Sequence, residues 1–122
     1  MRVSRNQIAD GITNYIKNDI LPKMENDKAV QIIGTIAINA AAANGRLVDA
    51  VFSNDIIRAL LDDDGSGTYD ITGLADSMRD AIAQYGSFPV KIPAVPLLSP
   101  REITLKLDAE DIDEMRRRIE SA

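Results

Sequence analysis

Nine consecutive residues, Asp62-Asp63-Asp64-Gly65-Ser66-Gly67-Thr68-Tyr69-Asp70, set oxygen donors around two glycines. That is the chemistry of a hard divalent cation, which needs several oxygens converging across a sharp turn. In a calcium loop, Asp62, Asp64 and Ser66 would supply side-chain ligands. Gly67 would make the turn, Thr68 would offer its carbonyl, and Asp70 would complete the near side.

The spacing resembles the first nine positions of an EF-hand loop, and it departs from that pattern at two places. The position for a bidentate Glu holds Gly73, and Tyr69 stands where a small branched apolar residue is usual. A calcium site built on Asp62, Asp64, Ser66, Thr68 and Asp70 would therefore lack its strongest ligand. The same residues also read as a solvated connection between helices, with Asp side chains capping turn amides and Gly supplying positive φ.

A second acidic group, Glu110, Asp111, Asp113 and Glu114, falls in the opening turns of an expected helix, where acids complement the positive dipole end. Gly65-Ser66-Gly67 has neither the Gly-Lys-Ser/Thr ending nor the preceding strand of a phosphate loop. The chain contains no Cys and no His. Thiolate nucleophiles, Ser-His-Asp relays, zinc fingers and imidazole acid–base catalysis are excluded by that inventory. No catalytic constellation remains, so the expectation is a protein that is not an enzyme and carries no cofactor beyond a possible calcium ion.

The third candidate is a surface. Residues 88–98 carry Phe88, Val90, Ile92, Ala94, Val95, Leu97 and Leu98 with prolines interspersed. Connections usually run over the surface and are seldom so apolar. Phe88, Val90, Ile92, Val95, Leu97 and Leu98 are accordingly expected to meet another chain, unless they fold back on the protein's own helices. A partner strand could also add to the edges of a short ribbon here.

The elements that position these residues follow from periodicity. A helix is expected over 4–21: Ser4 and Gln7 have capping spacing, Val3 and Ile8 flank the cap, and Ile8, Ile12, Ile16 and Ile20 share a stripe. A second helix, 27–44, is apolar on nearly every side and is expected to be the hub of the core, with Asn44-Gly45 as its stop. Short helices over 47–52 and 55–61 and a longer one over 71–85 complete a helical body, 1–86. Residues 88–92 and 102–107 alternate like strands, with Pro89 and Pro93 restricting the first to an edge. Asp108 then caps a last helix, with Asp111 at its third position and Leu107 and Ile112 as a staple. The reading is mainly α (α+β) in one domain: a bundle of four to five helices, a two-stranded antiparallel β-ribbon and a C-terminal helix.

Composition agrees with a folded domain. Of 122 residues, 45% are apolar and 27% charged, the balance of a chain that can bury a core without disulfides. The net charge of −5 lacks the basic stripe of a nucleic-acid binder. Arg116-Arg117-Arg118 closes an acid-rich helix, where cations offset the negative dipole end. No signal-peptide core opens the chain. Its longest nearly uncharged run, 29–44, is shorter than the roughly 20 apolar residues of a membrane span. The expected setting is cytoplasmic, with a protein partner or a homo-oligomer and neither nucleic acid nor membrane.

The order of these signals resembles small proteins encoded in phages and prophages of Gram-positive, clostridia-like bacteria. The residues that carry it are the opening from Ser4 through Ile16, the run Thr68-Tyr69-Asp70-Ile71, the stretch Tyr85-Gly86-Ser87-Phe88-Pro89-Val90-Lys91-Ile92-Pro93, the segment Leu97-Leu98-Ser99-Pro100-Arg101-Glu102 and the ending Leu107-Asp108-Ala109-Glu110-Asp111-Ile112. None of these is a functional motif. The resemblance implies a phage-related origin in a bacterial host cell, and a place in the particle is consistent with it. The proteins the chain resembles often carry fewer acids around Asp62, which tells against calcium as a shared role. Three functions remain open: assembly by protein–protein contact, inhibition of a host defence or nucleic-acid enzyme, and calcium binding through 62–70.

Overall fold

Ser4 ends a short strand, β1 (Arg2–Ser4), and caps the first helix, α1 (Arg5–Tyr15), its hydroxyl accepting from the Gln7 amide at 3.1 Å. The computed structural model describes residues 1–23, 28–52, 54–61, 65–95, 97 and 103–122. Val3 and Ile8 are both buried beside the cap, as a hydrophobic staple requires. The regular helix expected as far as residue 21 stops at Tyr15. The coil widens into a π-helical turn (Ile16–Ile20) and tightens into a 3-10 turn (Leu21–Lys23), where Pro22 has no amide to leave unpaired.

The second helix, α2 (Lys28–Ala43), ends as Asn44-Gly45 predicts. Gly45 takes φ +67°, the Arg46 amide reaches the Ala41 carbonyl at 2.9 Å, and the Gly45 amide reaches Ala42 at 3.0 Å. These paired bonds satisfy the last helical carbonyls. Two short helices follow, α3 (Leu47–Val51) and α4 (Asp55–Leu60), the latter capped by Asn54, whose side chain accepts from Ile56 at 2.9 Å.

Strand β2 (Thr68–Asp70) pairs antiparallel with β1, Val3 opposite Tyr69. Periodicity gives no sign of this sheet, because three residues are too few to show an alternation. Asp70 then caps α5 (Ile71–Tyr85), and Gly86 ends that helix in the left-handed region. β3 (Phe88–Ile92) and β4 (Ile103–Leu107) form the expected antiparallel ribbon, with Val90 opposite Leu105. Asp108 and Asp111 exchange side-chain bonds with each other's amides at the start of α6 (Ala109–Ser121). The protein is mainly α, with two small antiparallel sheets among the described residues.

One core runs from Val3 to Ile119 and takes residues from both sides of Gly86. Its tightest seam joins α1 to α6. A Cβ on Gly11 would lie 2.5 Å from the Ile119 backbone nitrogen, so the two helices meet nearly backbone to backbone. Ile71, Leu74, Ala75 and Met78 of α5 form a stripe beside Ile112, Met115 and Ile119 of α6. Below them, the ribbon turns Phe88, Val90, Ile92, Leu105 and Leu107 inward, and Phe88 meets the Phe52 ring edge-on, centroids 5.9 Å apart.

The expected hub is instead a flank. α2 buries only Gly34, Ala37 and Ile38. A Cβ on Gly34 would sit 3.1 Å from Leu21 and 3.4 Å from Ile92, which shows how closely this one side is seated. The chain supplies no element to cover the opposite side among the described residues, so the all-round apolar helix keeps half of itself in water.

Candidate interaction surface

The segment expected to meet a partner is largely core. Phe88, Val90 and Ile92 are buried, because strand alternation sends all three to one face and α2, α3 and α5 lie across that face. Pro89, on the other face, is exposed. Val95 is half-buried and Leu97 is 98% exposed, while Leu98 lies outside the described residues. As an interaction surface, the Phe88–Ile92 strand is thus corrected: the protein's own helices occupy it.

The acidic loop is divided too. Asp62 and Asp64 lie outside the described residues. Ser66 and Thr68 both face Arg2, whose Nε donates to Thr68 Oγ1 at 2.9 Å and whose Nη2 donates to the Thr68 carbonyl at 2.8 Å. The carbonyl expected to ligate calcium therefore holds a guanidinium. Asp70 Oδ1 accepts from the Thr72 amide at 3.1 Å as a helix cap. Tyr69 turns into the core, and Arg5, between Tyr69 and Asp49, ties β2 to α3. Burial weakens the Arg5 charge, but its bonds to Tyr69 and Asp49 outweigh that and raise its pKa. These residues fasten the N-terminal strand down. Among the described residues, no group of three acids is placed to hold a metal ion.

Three of the four acids that open α6 are likewise engaged, and the fourth, Glu110, is exposed. Asp111, besides capping, accepts from the Tyr15 hydroxyl; Asp113 pairs with Arg79, and Glu114 with Arg117 at 2.8 Å. Arg116 binds Glu120 at 2.9 Å and Arg118 binds Asp19 at 2.8 Å, so each arginine of the triplet sits in an ion pair. Burial first, then the bond to Asp111, pushes the Tyr15 phenol well above its ordinary pKa. That keeps Tyr15 protonated and makes it a poor base at neutral pH. An open cleft of about 340 Å³ beside Tyr15 is edged by Lys23, Lys106 and Glu114, a surface of mixed charge.

Sequence periodicity missed the outward face of α2. Ala29, Ile32, Ile33, Ile36, Ala40 and Ala43 share one side of this helix, and all but the partly buried Ile33 are exposed. Ile32 is 62% exposed and Ile36 43%. The chain carries 19 acids, and none falls within Lys28–Ala43. A groove of about 340 Å³ runs along its edge, lined by Ala40, Ala41, Pro93, Ala94 and Val95 and closed at one end by Asn44 and Arg46. A signal for this orientation was in the sequence. Gly34 lies opposite Ile32 and Ile36, and a glycine inside a helix marks a side on which a neighbour comes close.

A second patch is formed by Ile56 at 67% and Leu60 at 43% exposure on α4 and Tyr85 at 74% on α5, beside a groove between the two helices. Asp55 and Asp80 line the same groove and interrupt it with charge. The outward face of α2 carries no acid, and the charge near it is that of Arg46 at the groove's end. Compared with protein-family models, curated proteins and solved structures, the chain matches none.

Proposed function

We propose that the chain works by protein–protein contact through the outward face of α2 and catalyses no reaction. The observation that carries this reading is the uninterrupted, acid-free stripe of Ile32, Ile33 and Ile36 flanked by alanines on an otherwise acidic protein. Fully covering an isoleucine contributes about 1.5–3 kcal/mol. Two of them, partly open to water and one helical turn apart, give a contact a centre around which small residues can pack. The absence of His and Cys from the sequence supports a non-catalytic role, as does the use of Tyr15, Asp111 and Asp113 in structural bonds. The phage and prophage resemblance makes assembly in a host cell, or in a particle formed there, the natural setting.

A photo-crosslinking residue at position 36, compared with one at the exposed polar position Asn14 of α1, tests this in the cell that encodes the protein. A defined protein adduct at position 36 and none at 14 is the expected result. Identical products at both positions, or no product at 36, would contradict the reading.

A further inference from the structure

We infer that the groove between α4 and α5 is a second docking surface, and that its occupant is an arginine-bearing amphipathic segment of a partner protein. This surface is separate from the outward face of α2 and stands or falls independently of it.

The apolar part of the surface comes first from α4. This short helix buries Ile57, while Ile56 and Leu60, one turn apart, stay in water. Tyr85, at the end of α5, lines the same groove as Ile56 and is exposed as well. The groove measures about 380 Å³. It shares Asn54, Ala81 and Tyr85 with a second of about 440 Å³ that ends at Pro89 and Lys106. Those two residues are opposite one another on the outer face of the ribbon. Together the grooves run from α4 past the end of α5 to the ribbon, open to water throughout. Such a trough suits a chain segment better than a compact ligand, which a closed cavity would enclose.

Charge complementarity selects the cation. Asp55 and Asp80 line the groove from its two helices, both exposed, and neither has an ion-pair or hydrogen-bond partner among the described residues. Asp55 lies in the first turn of α4, where the helix end offsets part of its charge. Asp80 has no such offset. It stands within α5 one turn from Asp76, an unfavourable spacing for like charges, and Arg79 beside it is engaged by Asp76 and Asp113. A guanidinium entering the groove would meet both free carboxylates and the exposed ring of Tyr85, on which a planar cation stacks. Lys106 opposes a cation at the far end of the second groove, so the arginine belongs at the Asp80 end. An anionic membrane would set phosphates against Asp55 and Asp80, which the same charges oppose.

Fluorescence anisotropy of the full chain tests this with a labelled synthetic peptide of leucines and arginines in helical spacing. The comparison is the same peptide with glutamate in place of arginine. The arginine peptide should bind, and the glutamate peptide should bind at least about tenfold more weakly. Ile56→Ser, and separately Asp55→Asn with Asp80→Asn, change exposed positions and should each weaken binding about tenfold. Asp10→Asn with Glu110→Gln removes the same charge from exposed acids outside the groove and should leave binding unchanged, as should Ile36→Ser. No binding of the arginine peptide, equal binding of both peptides, or an equal loss in the control pair would overturn the inference. Loss with Ile36→Ser and none with Ile56→Ser would place the peptide on α2, which overturns the second surface and leaves the α2 contact standing. Binding to phosphatidylglycerol vesicles that Ile56→Ser abolishes, in place of peptide binding, would overturn a protein segment as the occupant.

Discussion

The β3 strand and the outer side of α2 are both strongly apolar, and they have opposite fates. Phe88, Val90 and Ile92 vanish under the helices, while Ile32 and Ile36 remain in water. The strand has two faces and needs cover on one. Pro89 and Lys91 take the other, so its own chain can complete it. α2 has apolar residues all round, and a neighbour on one side leaves the remainder uncovered. Apolar density thus does not reveal an interface. The relevant quantity is how much of an element's circumference the rest of the chain can reach.

That contrast can be broken most forcefully in the core. Phe88→Ala should lower stability by about 3–5 kcal/mol in urea unfolding, through lost burial and the cavity left against Phe52. A cost under about 0.5 kcal/mol, the range of ordinary surface changes, would mean the strand is not held as described. Next in size, Gly11→Ala must push α1 off the Ile119 backbone and should cost about 1–3 kcal/mol, seen as a lower thermal midpoint.

A smaller effect concerns pH. Unfolding frees the Tyr15 phenol to ionise near pH 10, roughly its ordinary value, while the folded chain holds that proton to higher pH. Its contribution is complete below the unfolded value and is lost as pH rises through the folded one. Tyr15→Phe should therefore show a shallower alkaline loss of stability than the unaltered chain; equal slopes would remove Tyr15 from the account. Smallest of all, Ile36→Ser should change monomer stability by no more than about 0.5 kcal/mol under dilute conditions, in contrast to Phe88→Ala.

Much of the fold was legible because it is local. Ser4 and Asp108 cap the helices their spacing indicates, and Asn44-Gly45 ends α2. The ribbon followed from alternation. The β1–β2 pairing was not legible, since it joins residues 2–4 to 68–70 and rests on Arg2 reaching Thr68, a contact that no local pattern encodes. The orientation of α2 was signalled by Gly34 alone and was hidden from periodicity for a related reason. Periodicity separates the faces of a helix only when they differ in polarity, and here both are apolar. The calcium-like spacing had the converse weakness: it specifies donors but not what the fold sets against them, and Arg2 occupies the Thr68 carbonyl.

Thiol labelling tests the contrast most directly. In Ile36→Cys the thiol should react quickly in the isolated protein, since that side chain lies open to water. In Val90→Cys it should stay protected at every concentration, because the fold itself shields it. Rapid labelling at position 90, or protection at position 36 in the isolated protein, would contradict the account.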